Sequence, residues 1–221
     1  MTDQEVNIDK NIREIKRSLP EHVTLVAISK TKSNEAIMEA YEAGQRIFGE
    51  NRVQELEVKQ PDLPKDIQWH MVGHLQRNKV KYIAPFISMI HAVDTPRLLR
   101  EINKQAKKND RVIDCLLQLK IAEEDTKFGM DATQIKEILA SENYSQYENV
   151  RVRGLMAMAT FTDDKDQVNR EFKTIHNLYK DLKDPYNFDI LSIGMSGDYP
   201  IAIENGSTMI RVGSAIFGDR E

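Results

Sequence analysis

Leu25-Val26-Ala27-Ile28-Ser29-Lys30-Thr31-Lys32 is a short aliphatic run that ends abruptly in a lysine. A run of this length, bounded by polar residues, reads as a strand buried on both faces, as parallel strands packed between a core and helices are. Lys30 then stands at the strand's C-terminal tip. Side chains alternate along a strand, so Lys30 shares a face with Ile28 and Val26 and its stem emerges from apolar surroundings. Partial desolvation disfavours the ammonium and makes the amine a usable nucleophile, the requirement for a Schiff base with a carbonyl compound. The competing reading is a solvated loop lysine, the commoner fate of a lysine after a strand.

Outward from this stretch the same unit recurs. Before it, Ile8, Ile12 and Ile15 fall at i, i+4, i+7 over about residues 4–18, an amphipathic helix closed by Pro20. After it, Ser33 caps a helix whose apolar face is Ile37, Met38, Ala40 and Tyr41, with Gly44 as its stop. Residues 46–49 form a second strand ending in Glu50-Asn51, and a helix over about 52–59 is stopped by Pro61. Residues 67–72 are the third strand, ending in Gly73-His74; a helical turn spans 78–83, and residues 87–93 are the fourth strand. Asp94-Thr95-Pro96 is a helix start with a capping hydroxyl and proline at the first position. Residues 112–119 are strand five, followed by a polar loop with Lys127-Phe128-Gly129, a helix over 131–139 and a loop over 141–148. Strand six is 152–159, and Val168, Phe172, Ile175, Leu178 and Leu182 mark a long helix after it. Strand seven, 190–193, ends in Gly194-Met195-Ser196-Gly197-Asp198; a short helix with Ile201, Ala202 and Ile203 follows, and strand eight, 208–212, ends in Gly213-Ser214.

Eight strands alternating with helical segments predict an α/β protein with a single (β/α)8 barrel (TIM barrel) and an extra N-terminal helix, one domain over residues 1–221. The rival is an open doubly wound sheet, which usually carries a glycine-rich first turn; here that turn is Lys30-Thr31-Lys32-Ser33.

Composition narrows the function. The chain of 221 residues has 40% hydrophobic and 30% charged residues and a net charge of -4, which gives no electrostatic case for nucleic acid or an anionic membrane as partner. The basic clusters at 77–81 and 104–111 read as solvated helix faces. The lone Cys115 excludes an intrachain disulfide, fits a reducing cytoplasm and, inside an apolar run, reads as buried and inert. No apolar stretch approaches a membrane span and Met1-Thr2-Asp3-Gln4-Glu5 has no signal-peptide character, so a cytoplasmic location is expected. His70 and His74 are four apart, but on a strand they do not converge, and no metal site is expected; His70 and His91 read as satisfied core residues.

In a barrel the chemistry lies at the C-terminal strand ends, which makes Lys30, Asn51, His74, Asp94, Lys120, Thr160, Ser196 and Ser214 the candidates, with Arg211 just before the last. Gly194-Met195-Ser196-Gly197 and Arg211-Val212-Gly213-Ser214 place small residues where backbone N–H groups can approach a ligand, at the two loops that commonly hold phosphate. A helix N-terminus around Tyr199 would add to that cradle. Each pair taken singly could be an ordinary turn. Arg211 shares strand parity with Met209 and Gly213 and points into the barrel mouth, where its acceptor is either a ligand or a core carboxylate such as Asp198 or Glu50.

Residues 26–32, 48–55, 69–79, 154–158, 191–198 and 211–218, including Phe48-Gly49-Glu50-Asn51, Gly73-His74-Leu75-Gln76-Arg77-Asn78-Lys79 and Arg211-Val212-Gly213-Ser214, resemble the pyridoxal phosphate homeostasis protein family (YggS/PROSC type). The resemblance runs from the first strand to the C-terminus. It implies the barrel of the alanine racemase N-terminal type, standing alone, and pyridoxal 5′-phosphate (PLP) as cofactor. By the same resemblance Lys30 matches the lysine that forms the Schiff base with PLP. Ser196, Gly213 and Ser214 match the phosphate-binding positions, Arg211 the arginine facing the pyridine nitrogen, and Asn51 a residue beside the cofactor. The departures are Ser214, where many members have threonine, and Ser33, where proline is frequent. An arginine does not readily donate a proton, so the ring nitrogen stays unprotonated and PLP is a weak electron sink. The chain ends three residues after Gly218, and a second domain of the kind that completes a racemase site is not expected. The expectation is therefore a carrier in PLP (vitamin B6) homeostasis with no catalytic residue of its own, a monomer or weak homodimer whose further partners are PLP-dependent apo-enzymes. The alternatives are a PLP-dependent amino-acid racemase and a Schiff-base aldolase.

Overall fold

The computed structural model describes residues 6–123 and 128–218; Lys127 and the first residues of the expected N-terminal helix lie outside them. In chain order the elements are α1 (Ile8–Ser18), β1 (Thr24–Ile28), α2 (Asn34–Glu42), β2 (Ile47–Glu50), α3 (Val53–Asp62), β3 (Gln68–Met71), a 3-10 turn (Arg77–Lys79), α4 (Val80–Ile83), β4 (Met89–Val93) and α5 (Pro96–Lys108). There follow β5 (Ile113–Gln118), α6 (Ala132–Ala140), α7 (Glu142–Ser145), β6 (Val150–Met156), α8 (Lys165–Tyr186), β7 (Ile190–Ser192), α9 (Tyr199–Glu204), β8 (Met209–Val212) and α10 (Ser214–Phe217). The eight strands are parallel and close in sequence order into a barrel, β8 pairing back onto β1 with Val26 opposite Arg211.

Local chemistry sets the helix starts. Asn7, Ser33, Thr95 and Asp131 each accept a backbone N–H from the first turn, at Lys10, Ala36, Leu98 and Gln134 respectively, satisfying donors that have no partner inside the helix. The Asn7 cap places the start of α1 at Ile8 rather than near residue 4. Pro61 does not stop α3, which runs to Asp62; a proline in the last turn removes only one helical bond there. The polar segment 141–148 is not all loop, because the Ser141 hydroxyl accepts from Tyr144 N–H and caps the helical turn α7. β6 begins at Val150 and ends at Met156, where its pairing with Gln118 of β5 ends, so residues 157–159 lead into the barrel mouth.

The alternation on β1 sorts two cores. Val26 and Ile28 pack inside the barrel with Val72, Met89, Leu116, Met156 and Met209. Leu25 and Ala27 face outward into the larger cluster between sheet and helices, which also takes Ile8, Ile12 and Ile15 of α1. Burying each such aliphatic side chain contributes roughly 1.5–3 kcal/mol. Asn11 Nδ2 donates to the Ile216 carbonyl at 3.0 Å and so ties α1 to α10. Among the described residues no helix is long and apolar enough to cross a membrane.

Candidate functional site

A cavity of about 840 Å3 opens at the C-terminal ends of the strands, and Lys30, Asn51, Ser196, Arg211, Gly213 and Ser214 all line it. Its size lies within the roughly 300–1,000 Å3 of small-molecule sites. His74 and Thr160 also line it, whereas Asp94 and Lys120 do not. Asp94 instead holds His74, Oδ2 to Nδ1 at 2.9 Å, and the His74 ring stacks on Phe128 with centroids 3.9 Å apart. Barrel closure explains why residues from opposite ends of the chain meet: β1 and β8 are hydrogen-bonded neighbours, so the loop after Ile28 lies beside the loop after Val212.

Ser196 is the centre of the polar cradle. Its hydroxyl oxygen accepts the backbone N–H of Gly213 at 3.1 Å and of Ala215 at 3.5 Å, which joins the loop after β7 to the first turn of α10. The helix start beside Ser196 is therefore that of α10. At the helix start around Tyr199, the Tyr199 N–H donates to the Met195 carbonyl at 2.9 Å, and Asp198 turns back onto its own loop, its Oδ1 accepting the Met195 N–H at 2.6 Å without capping the helix. Gly194, at φ +97°, lets this loop form, since a Cβ there would stand 2.6 Å from the Ala202 Cβ and 2.9 Å from the Tyr199 Cα. Lys32, another cavity residue, donates to the Phe217 carbonyl at 3.0 Å. The result is a cluster of N–H and hydroxyl groups in a cavity that the Lys32 ammonium also lines, suited to an anion.

Arg211 is buried, and its hydrogen bonds go to neutral groups rather than to either carboxylate considered from the sequence. Nη1 donates to the Ser192 carbonyl at 2.8 Å and hydroxyl at 2.7 Å, and Nη2 donates to the Ala157 carbonyl at 2.9 Å. Burial lowers the guanidinium to about 10, opposed by the Asp198 charge, so it stays protonated at neutral pH. The Ser192 hydroxyl also meets His91 Nδ1 at 3.1 Å, and His91 Nε2 meets His70 Nδ1 at 2.9 Å. A hydrogen-bonded row thus crosses the barrel bore from β8 through β7 and β4 to β3. Burial pushes His70 down to about 3 and His91 well below its ordinary value. Both imidazoles are neutral, and the contact between them pairs one N–H with one bare nitrogen.

Glu50 ends β2 fully buried, on the face of the sheet away from the cavity. Its Oε1 accepts from the Ser29 hydroxyl at 2.6 Å and from Lys59 Nζ at 2.8 Å. Lys59 Nζ also donates to the Ser29 carbonyl and to Glu55 Oε2, both at 2.9 Å, and Glu55 Oε2 accepts the Thr31 N–H at 2.7 Å. Burial raises the Glu50 carboxyl to about 7 against the opposing pull of Lys59 and Ser29. The sequence reading missed this cluster. Glu55 and Lys59 are four apart on a helix, the spacing of an ordinary surface pair. The available signal was Glu50 itself, a carboxylate ending an otherwise apolar strand.

A second cavity, of about 360 Å3, lies at the opposite end of the barrel and includes Asp114, Arg153 and Asp189. Its charges are matched: Arg153 pairs with Asp114 at 3.1 Å and with Asp189, and Arg151 pairs with Asp114 at 2.8 Å. Cys115 is buried between sheet and helices, where burial raises its thiol far above the ordinary range.

A family model described as alanine racemase, N-terminal domain, matches residues 5–221. The chain is 38% identical over 200 residues to the pyridoxal phosphate homeostasis protein of Aquifex aeolicus (strain VF5), covering 89% of this chain and 87% of the relative. It is 37% identical over 210 residues to the protein of the same name from Escherichia coli (strain K12), covering 91% and 88%. Among solved structures, PipY of Synechococcus elongatus PCC7942 with PLP bound matches with a TM-score of 0.87 at 35% identity, covering 96% of this chain and 100% of that one. An alanine racemase of Clostridium difficile 630, in complex with cycloserine, shares the fold at 14% identity with a TM-score of 0.78, the match covering 97% of this chain and 60% of the racemase. By sequence over most of its length, and with the same barrel, this chain belongs to the pyridoxal phosphate homeostasis protein family.

Proposed function

We propose that this protein binds PLP and serves PLP homeostasis, holding the cofactor reversibly as a Schiff base on Lys30 and handing it on to PLP-dependent apo-enzymes. The observation that carries the reading is the convergence of a strand-end lysine, the Ser196–Gly213–Ser214 cluster and a buried arginine on one cavity. The donor set fits the group. The cluster offers N–H and hydroxyl donors for a phosphate, and Arg211, Asn51 and Lys30 line the same cavity, where Arg211 would face the ring nitrogen, Asn51 would stand beside the cofactor and Lys30 would supply the amine. PLP supplies an aldehyde that condenses with an amine, one water leaving as the C=N bond forms, and water entering reverses the step. Arg211 is committed to Ser192 and Ala157 and keeps its protons, so the ring nitrogen gains none from it and carbanion chemistry is disfavoured.

The test is to load the purified protein with PLP, reduce it with borohydride and map the modified peptide. Pyridoxyl on Lys30 is the expected result; a protein that cannot be loaded overturns the reading. The racemase alternative is read from Cα-proton exchange into deuterated water across the amino acids. Exchange at background supports a carrier, and robust exchange lost in Lys30→Ala supports the enzyme.

A further inference from the structure

We propose that the buried Lys59–Glu50–Glu55 cluster positions Lys30, fixing the backbone on both sides of that lysine and so setting how readily its amine forms the Schiff base. The inference rests on the reading of Lys30 given above and assigns roles to three residues that do not line the cavity.

The two neighbours of Lys30 are gripped by one charge system. Ser29, before it, is held twice: its hydroxyl donates to Glu50 Oε1 and its carbonyl accepts from Lys59 Nζ. Thr31, after it, is held through its N–H by Glu55 Oε2, which accepts from the same Lys59 ammonium. The three protons of Lys59 thus match three acceptors, Ser29 O, Glu50 Oε1 and Glu55 Oε2. Charge-assisted bonds of this kind are about twice as strong as neutral ones. All three side chains act from behind the sheet, with Glu50 and Lys59 buried, so none touches a ligand in the mouth.

Backbone strain at the same point gives a second, independent observation. Thr31 adopts φ +63°, in the left-handed region that a β-branched residue rarely enters. Such a conformation costs on the order of 1–3 kcal/mol and persists where surrounding contacts over-determine it. Two contacts hold it here: the Glu55 carboxylate on the Thr31 N–H at 2.7 Å, and the turn bond from the Lys32 N–H to the Ser29 carbonyl at 3.0 Å, whose acceptor Lys59 also holds. β1 ends at Ile28, and the left-handed residue directly after Lys30 shapes the turn that carries the lysine away from the sheet. Without the tether, residues 30 and 31 have an extended alternative, and the amine spends less time aimed at the aldehyde.

The experiment compares two ligands in wild type, Glu55→Ala, Glu55→Gln and the neutral pair Glu50→Gln with Lys59→Met. Glu55→Ala removes the Thr31 tether from a partly exposed position, while Glu55→Gln keeps an acceptor and is the conservative rescue. PLP is added, and the rate of Schiff-base formation is read by stopped-flow absorbance and by borohydride trapping on the Lys30 peptide. Pyridoxine 5′-phosphate, which has a hydroxymethyl group in place of the aldehyde, reports binding without condensation. The expected result is condensation slowed about tenfold in Glu55→Ala and in the double variant, near-wild-type behaviour in Glu55→Gln, and unchanged affinity for pyridoxine 5′-phosphate. Equal condensation rates in all four proteins overturn the inference, as does a parallel loss of both ligands, which marks the cluster as purely structural. Absence of trapping on Lys30 in the wild type itself overturns the underlying reading together with this one.

Discussion

Gly73 lies so close to Asn51 that a Cβ on it would stand 2.4 Å from the Asn51 carbonyl oxygen and 2.8 Å from its Cα. Both obstacles are backbone, which cannot swing aside. Gly73→Ala therefore pushes the ends of β2 and β3 apart, destabilises the fold by about 1–3 kcal/mol as overpacking does, and moves the Asn51 wall of the cavity. Gly197→Ala is the control, because nothing stands within 4 Å of a Cβ there. Urea denaturation should separate the two variants, with Gly197→Ala near wild-type stability, and PLP retention should fall in Gly73→Ala.

The Ser196 hydroxyl is the hub between the β7 loop and α10. Replacing Ser196 and Ser214 together by alanine removes two hydroxyls from the cradle but leaves the backbone N–H groups. Hydrogen bonds to charged groups contribute about 1.5–3 kcal/mol each, so PLP should dissociate at least about tenfold more readily. Schiff-base formation at high PLP concentration should survive. Equilibrium dialysis measures the first effect and borohydride trapping the second; unchanged retention would place the phosphate elsewhere.

The buried histidines give stability a defined pH dependence. His70 titrates near 3 in the folded protein and near the ordinary 6.5 when unfolded, so between those values the unfolded chain binds the extra proton. His91 is shifted the same way, with desolvation again the main cause. Stability contributed by the neutral rings is present above 6.5 and is lost as pH falls below it, by about 1.4 kcal/mol per pH unit for each histidine. Glu50, raised to about 7, acts with the opposite sign between 4.5 and 7: its contribution is full below 4.5 and declines as pH rises. Urea midpoints measured from pH 7 to 5 in wild type and His70→Gln should show the variant falling less steeply, by one proton's worth of slope.

Cys115 should resist thiol reagents in the native protein and react fully in urea. Its thiol is buried and pushed up by desolvation, so the thiolate that reacts is scarce. Rapid labelling without denaturant would contradict the packing of β5.

The barrel was readable because its strands carry a pattern that local physics enforces: short apolar runs closed by turn residues and followed by helices, those after β1, β4, β5 and β6 with side-chain caps. Ser33 and Thr95 announced helix starts in one or two residues, and the structure uses both; Asp131, read as the first residue of its helix, caps it from outside. Boundaries that depend on tertiary pairing were less legible. β6 starts at Val150 because Val150 has Ile113 as register partner, a fact absent from its own sequence window. At the site, Lys30 and the two glycine-serine loops stood out because strand ends of a barrel converge. The Arg211–Ser192–His91–His70 row did not, since its members lie on four strands and meet only through closure and inward parity. Lys59 was hidden for a different reason. Helical spacing shows that it can reach Glu55, but not that this helix face is pressed onto the end of β2.

The β1–β8 seam has a consequence for biosynthesis. Lys30 leaves the ribosome early, whereas Ser196, Gly213 and Ser214 follow only after nearly all of the barrel has been made. A nascent chain therefore exposes the amine long before it owns the cradle, and any aldehyde met in that interval is held by one bond without the donors that would retain it. Under the proposed function, a ligand that needs both marks a closed barrel, and its occupancy would report completed folding.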